Sequence, residues 1–204
     1  AARLDNPDAT WASVRGDNAR ITHCHNVQFH SAAFTRFLTD PRFTAIAQAI
    51  IGPNVQLHHT KMFIKPPERG APFPMHQDYP YFPHERDSMV AAILHLDDAS
   101  AEKGCLRVVP GSHNLGPLPA VGEDRHVDGY PIEDALALPA RAGDVVFFNY
   151  LLIHGSGPNV SDEARTTLLV QMRDPEDKPL IDRHQSRGQG MMLAGIDRCN
   201  LEAI

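Results

Sequence analysis

A histidine and an aspartate one residue apart stand at His76-Gln77-Asp78. Side chains on a β-strand alternate with period two, so on a strand these two project to the same side and set an imidazole nitrogen beside a carboxylate oxygen. A second histidine, His154, stands in Phe147-Phe148-Asn149-Tyr150-Leu151-Leu152-Ile153-His154-Gly155-Ser156-Gly157 and is the candidate for a third ligand from a distant strand. Two imidazoles and one carboxylate on one face of a metal, with the remaining positions open, form the donor set of non-haem iron(II) oxygenases. A lone histidine at a strand end is usually an ordinary polar residue; the trio in these contexts carries the metal reading.

The elements that must position this trio are legible in outline. The spacing of Phe34, Phe37 and Leu38 predicts a helix, Asp40-Pro41 reads as an N-cap followed by a first-turn proline, and a second helix carries Phe43, Ile46, Ala47 and Ile50 to a stop at Gly52-Pro53. From there the pattern changes to short strands between Gly/Pro turns. Val55–Lys65 is the first long one, with Leu57, His59, Lys61, Phe63 and Lys65 on one face. Further strands are expected at His76–Asp78, Val90–Leu96, Gly104–Val109, Val145–Phe148 and Arg165–Met172. Strands and helices do not alternate as βαβ units, so a parallel sheet is excluded in favour of a mainly β double-sheet jelly roll or barrel with flanking helices. Trp11 and Phe29 are read as buried anchors, residues 114–138 as an excursion beside the site, and residues 175–204 as a tail or lid.

The length of 204 residues suits one domain, residues 1–204, with a full-sized core. The net charge of −6 gives no basic surface for nucleic acid and no polybasic membrane patch, and no apolar run approaches the roughly 20 residues that span a bilayer. Cys24, Cys105 and Cys199 are odd in number and lack C-x-x-C spacing, which argues against a disulfide framework or structural zinc and for a reducing cytoplasm. The chain opens on alanine within a polar stretch, so a preceding N-terminal helical segment is expected.

Several stretches together resemble the phytanoyl-CoA dioxygenase family of iron(II)- and 2-oxoglutarate-dependent oxygenases. They are Gly52-Pro53-Asn54, Lys65-Pro66-Pro67, His76-Gln77-Asp78, Tyr81-Phe82-Pro83, Gly104-Cys105-Leu106, Pro110-Gly111-Ser112-His113, Gly143-Asp144-Val145-Val146-Phe147-Phe148 and Leu151-Leu152-Ile153-His154-Gly155-Ser156-Gly157. The resemblance implies a cupin-like double-stranded β-helix with iron(II) held near one mouth by His76, Asp78 and His154, and 2-oxoglutarate and molecular oxygen as cosubstrates. Arg165, 11 residues after His154, falls where the family places its 2-oxoglutarate arginine, a planar fork suited to a carboxylate. Ser156 matches a hydroxyl donor to the same carboxylate.

Two positions depart from the family pattern. A lysine and an apolar residue that line the family's cosubstrate pocket fall here on His23 and Lys61, so Lys61 is read as facing the cosubstrate or a substrate anion, with a solvated strand lysine as the alternative; Lys65, on the same predicted face, has the same two readings. Phe82 and Leu94 are expected to wall the pocket, and His84, His95, His113 and His126 to be non-ligands. Asp78 keeps the carboxylate that halogenating relatives lack. The activity implied is oxidation, typically hydroxylation, of an unactivated C–H in a small molecule (an acyl-CoA, free acid, amino acid or natural-product intermediate), with 2-oxoglutarate decarboxylated to succinate. An oxygen-independent cupin-type isomerase or hydrolase and a non-catalytic jelly-roll binding module are the alternatives; the first would have no use for Arg165.

Overall fold

Local chemistry sets the helices at the start of the fold. In the computed structural model, which describes residues 9–12, 20–67, 72–181 and 185–199, α1 (Ala32–Leu38) opens on Ser31, whose hydroxyl accepts from the Ala33 amide. α2 (Pro41–Ile51) opens on Asp40, whose carboxylate accepts from the Arg42 amide, with Pro41 in the first turn. Each cap satisfies an N–H that the first turn leaves without a partner, and proline has none to satisfy. The buried face of α2 is narrower than its spacing predicts: Phe43 and Ala47 are buried, whereas Ile46 and Ile50 are 48% and 52% exposed.

The strands form two antiparallel sheets. β1 (Ala9–Ala12), β2 (Arg20–His25), β3 (Val55–Lys65), β10 (Arg165–Arg173), β5 (Val90–His95) and β8 (Val145–Asn149) lie side by side in that order, and β11 (Met192–Ala194) also pairs with β3. β4 (Phe73–His76), β9 (His154–Ser156), β6 (Leu106–Val108) and β7 (Leu136–Leu138) make the smaller sheet. The outer face of the larger sheet carries Leu57, Ala92, Leu168, Val170 and Met172 against Leu38, Phe43 and Ala47 of the helices. Its inner face and the smaller sheet enclose a cavity. This is the mainly β two-sheet architecture with flanking helices that the turn and strand pattern predicts, and the double-stranded β-helix that the family resemblance implies. Among the described residues no helix is long and apolar enough to cross a membrane.

A bulge decides which side chains reach that cavity. β10 and β3 pair in register from Arg165↔Lys65 to Gln171↔His59, then jump to Met172↔Leu57, which leaves His58 as an extra residue on β3. An inserted residue resets the alternation. Leu57, expected on the His59 face, therefore turns outward into the helix-side core, while His59, Lys61 and Phe63 face the cavity. The side chains of His58 and His59 touch, Nδ1 to Nδ1 at 2.7 Å.

Four further expectations are corrected. The strand at His76 ends there, and Asp78 instead opens a 3₁₀ turn at Tyr79–Tyr81 with φ −75° and ψ −23°. Leu94 pairs with Leu168 and packs in the helix-side core, so its neighbour Ile93 lines the cavity. Phe29 is 52% exposed, with the Arg187 guanidinium 4.7 Å from its ring centre; the Trp11 side chain lies outside the described residues. The stretch after Asp174 is built into the fold: Asp177, fully buried, accepts from the amides of Arg86 and Ser88 and from the Ser88 hydroxyl. β11 adds Leu193 to the core. The 114–138 excursion does lie beside the site, with Val127 and Ala135 packed against Met75 and Ile153.

Candidate metal centre

Strand pairing brings the two histidines together. His76 and His154 are directly opposite residues of β4 and β9, and their ring centres lie 4.3 Å apart. Gly155, next to His154, lets β9 lie close against β4, since a Cβ there would sit 2.8 Å from both the Met75 sulfur and the Phe73 carbonyl. Asp78 arrives by the turn: its amide donates to the Tyr150 carbonyl at 2.9 Å, and its Oδ1 lies 3.6 Å from His76 Nε2 and 3.9 Å from His154 Nε2. One donor atom from each of the three residues fits within a 4.8 Å group.

The surroundings prepare these atoms for a cation. Nδ1 of His76 lies 2.7 Å from the Pro74 carbonyl and Nδ1 of His154 lies 2.9 Å from the Leu152 carbonyl. A carbonyl can only accept, so each Nδ1 carries the proton and each Nε2 presents a lone pair to the shared centre. Asp78 Oδ2 accepts from Gln171 Nε2 at 2.5 Å, which orients the carboxylate. Burial, then the neighbouring His76, push His154 down to about 4, so it is a neutral imidazole at physiological pH. Burial opposes ionisation of Asp78, but His154, His76 and Gln171 outweigh it and hold the carboxyl below its usual range. Oriented second partners behind every donor are the feature of built metal sites, so the residues fit an iron(II) centre of two imidazoles and a carboxylate.

The cavity beside this trio has a volume of about 230 Å³. Arg165, Ser156, Lys61, Phe82 and the trio all line it. Arg165 is 5% exposed and donates Nη1 to the Gly104 carbonyl at 2.5 Å, while its buried Nε has no partner among the described residues. Burial lowers this guanidinium only to about 10, so it stays charged at neutral pH. Lys61 lies on the wall with its ammonium 4.7 Å from the Phe63 ring centre and makes no ion pair among the described residues. Burial lowers its pKa, while Asp78 acts in the opposite direction. His23 packs edge-on against Phe63, and burial, Lys61 and His25 hold it down near 4. His84, His113 and His126 stand apart from the trio, and His95 lines the cavity without joining it.

Of two further residues here, reasoning from sequence missed one and left the other open. Gln171 carried a usable signal, a lone amide inside the apolar run Leu168-Leu169-Val170-Gln171-Met172. Lys65 shared the ambiguity of Lys61 on the same predicted face. It proves to be buried (3% exposed) with its ammonium 2.7 Å from the Ser156 hydroxyl.

The family model for Phytanoyl-CoA dioxygenase (PhyH) matches residues 1–167. The chain belongs to the phytanoyl-CoA dioxygenase family. The peroxisomal phytanoyl-CoA dioxygenase of Bos taurus is 34% identical over 154 residues, 68% of this chain and 45% of its own length. A probable alpha-ketoglutarate-dependent hypophosphite dioxygenase of Stutzerimonas stutzeri is 26% identical over 192 residues, 87% of this chain and 66% of its own. The solved structure of the non-heme alpha ketoglutarate dependent epimerase SnoN from nogalamycin biosynthesis superposes with a TM-score of 0.67 at 26% identity, over 85% of this chain and 70% of that one. The chain thus spans between about half and two thirds of the length of these curated family relatives.

Proposed function

We propose that this chain is the oxygenase core of an iron(II)- and 2-oxoglutarate-dependent dioxygenase that oxidises a C–H bond of a small molecule. The observation that carries the reading is the pairing, in one cavity, of a His76–Asp78–His154 donor set with a buried, incompletely paired arginine, Arg165. His76, Asp78 and His154 would hold the iron. Iron(II) supplies the oxygen chemistry that no side chain can, coupling O₂ reduction to loss of carbon dioxide from the keto acid and oxidation of the substrate.

The protein's own residues then have separable tasks. Gln171 keeps Asp78 turned toward the histidines, and the Pro74 and Leu152 carbonyls hold the imidazoles in one tautomer. Arg165 and Ser156 would bind the distal carboxylate of 2-oxoglutarate, the guanidinium through its fork and the serine through its hydroxyl. Lys61 would add a positive wall along the cosubstrate. Ile93, Leu106, Phe148 and Leu169 line the remainder and exclude water from the reacting atoms.

The relatives act on chemically varied small molecules: their names include a phytanoyl-CoA dioxygenase, an L-proline trans-4-hydroxylase and an ectoine dioxygenase. A cavity of about 230 Å³ lies below the usual 300–1,000 Å³ of small-molecule sites. That supports a compact acid, amino acid or natural-product intermediate, or only the reacting end of something as large as an acyl-CoA. Among the described residues Cys24, Cys105 and Cys199 form no disulfide, which suits a reducing cytoplasm. The test is a substrate screen of such compounds with iron(II), 2-oxoglutarate and oxygen, read by succinate formation. Iron-dependent succinate, raised by one compound class, is expected; no succinate from protein that binds iron would overturn the reading.

A further inference from the structure

Lys65 stands behind Ser156 and does not itself line the cavity. It is 3% exposed, and its ammonium donates to the Ser156 hydroxyl at 2.7 Å and to the Gly157 carbonyl. In the β3–β10 ladder it is directly opposite Arg165, itself 5% exposed. Buried lysines and arginines normally have carboxylate partners. Among the described residues none acts on this pair: the charged and titratable neighbours of Lys65 are Arg165 and the Cys105 thiol. Like charges opposite one another on a sheet destabilise it. The arrangement therefore calls for an anion from outside the chain, and the unpartnered Arg165 Nε marks where the surplus lies.

The hydrogen-bond sense adds a second constraint. A serine hydroxyl has one proton and two lone pairs, and an ammonium can only donate. With Lys65 donating into Ser156 Oγ, the serine proton is left for another acceptor, and Ser156 faces the cavity. We propose that Lys65 is a positioning residue for the distal carboxylate of the cosubstrate, fixing Ser156 as a donor into the cavity. This rests on the oxygenase reading and goes beyond it: the Lys65–Ser156 pair makes the site select a 2-oxo dicarboxylate over a 2-oxo monocarboxylate.

The test is calorimetric binding to the nickel(II)-loaded protein of 2-oxoglutarate and of 2-oxopentanoate, which has the same chain without the distal carboxylate. Lys65→Met and Ser156→Ala should each weaken 2-oxoglutarate about tenfold, as for loss of one charge-assisted hydrogen bond. The double variant should be little worse than either single one, because Lys65 acts through Ser156. Binding of 2-oxopentanoate should not change, and Lys65→Arg should recover part of the loss. Unchanged 2-oxoglutarate affinity in Lys65→Met, additive losses, or equal loss for both keto acids would overturn the proposal alone. If Lys65→Met does not fold, Lys65→Leu, which also lacks a donor, carries the same comparison. Wild-type protein that binds nickel but not 2-oxoglutarate would overturn the oxygenase reading and this proposal with it.

Discussion

Gln171 shows how a single side chain tunes the candidate centre. Its amide donates to the Asp78 oxygen that faces away from the histidines, so removing it frees the carboxylate to rotate. Gln171→Leu is expected to lower metal affinity about 10–100-fold, the usual effect of losing a partner behind a ligand, with the fold intact by circular dichroism. Lys65 sets a pH dependence. Burial, and then Arg165, hold its pKa down to about 7, with the Cys105 thiol acting the other way, while its remaining contacts are the Ser156 hydroxyl, the Gly157 carbonyl and the Phe73 ring, whose centre is 5.1 Å from the ammonium. An anionic cosubstrate favours the charged lysine. Affinity is then greatest below about 7 and falls as pH rises through that value. Calorimetry of 2-oxoglutarate binding between about pH 6 and 9 should show this limb, and Lys65→Met should flatten it. The grouping of His76, Asp78 and His154 was readable in the chain because one motif spacing and one histidine context announce it. Lys65 could be read only as one of two alternatives, because its place opposite Arg165 depends on register across strands about 100 residues apart, which leaves no local mark.

At the scale of elements, the site depends on how closely β9 approaches β4. An alanine at 155 would bring its Cβ to 2.8 Å from the Phe73 carbonyl and 3.0 Å from the Pro74 carbonyl, backbone atoms that cannot step aside without moving His76. Gly155→Ala is therefore expected to cost about 1–3 kcal/mol by chemical denaturation and to weaken metal binding in the same protein. The caps of α1 and α2 and the extent of β3 follow from local chemistry and were legible. The bulge at His58 was not. Alternation alone puts Leu57 beside His59; only pairing with Gln171 and Met172 reveals the extra residue that sends Leu57 to the helices and His59 to the cavity. The same limit explains Asp78. The period-two argument reached the right neighbour for His76 through the wrong backbone, since a 3₁₀ turn rather than a strand delivers the carboxylate.

Across the whole molecule, the chain after β10 closes the fold that the site needs. Residues read as a polar tail strap Asp177 against Arg86 and Ser88 and return as β11 along the edge of β3. A strand of only three residues in a polar stretch has too little pattern to be seen in the sequence. Leu193, 7% exposed within the main core cluster, anchors it. Leu193→Ala should destabilise the protein by about 2–3 kcal/mol in urea unfolding while leaving the metal affinity of the folded form unchanged. The two-sheet architecture, by contrast, was evident from many short strands between Gly/Pro turns. The central claim is that one cavity holds both iron(II) and 2-oxoglutarate, and anaerobic titration with the two together, followed by the weak visible charge-transfer band of a chelated keto acid, tests it most directly. The band should appear in the wild type and be lost in His76→Ala and Arg165→Ala; iron binding with no band in the wild type would contradict the account.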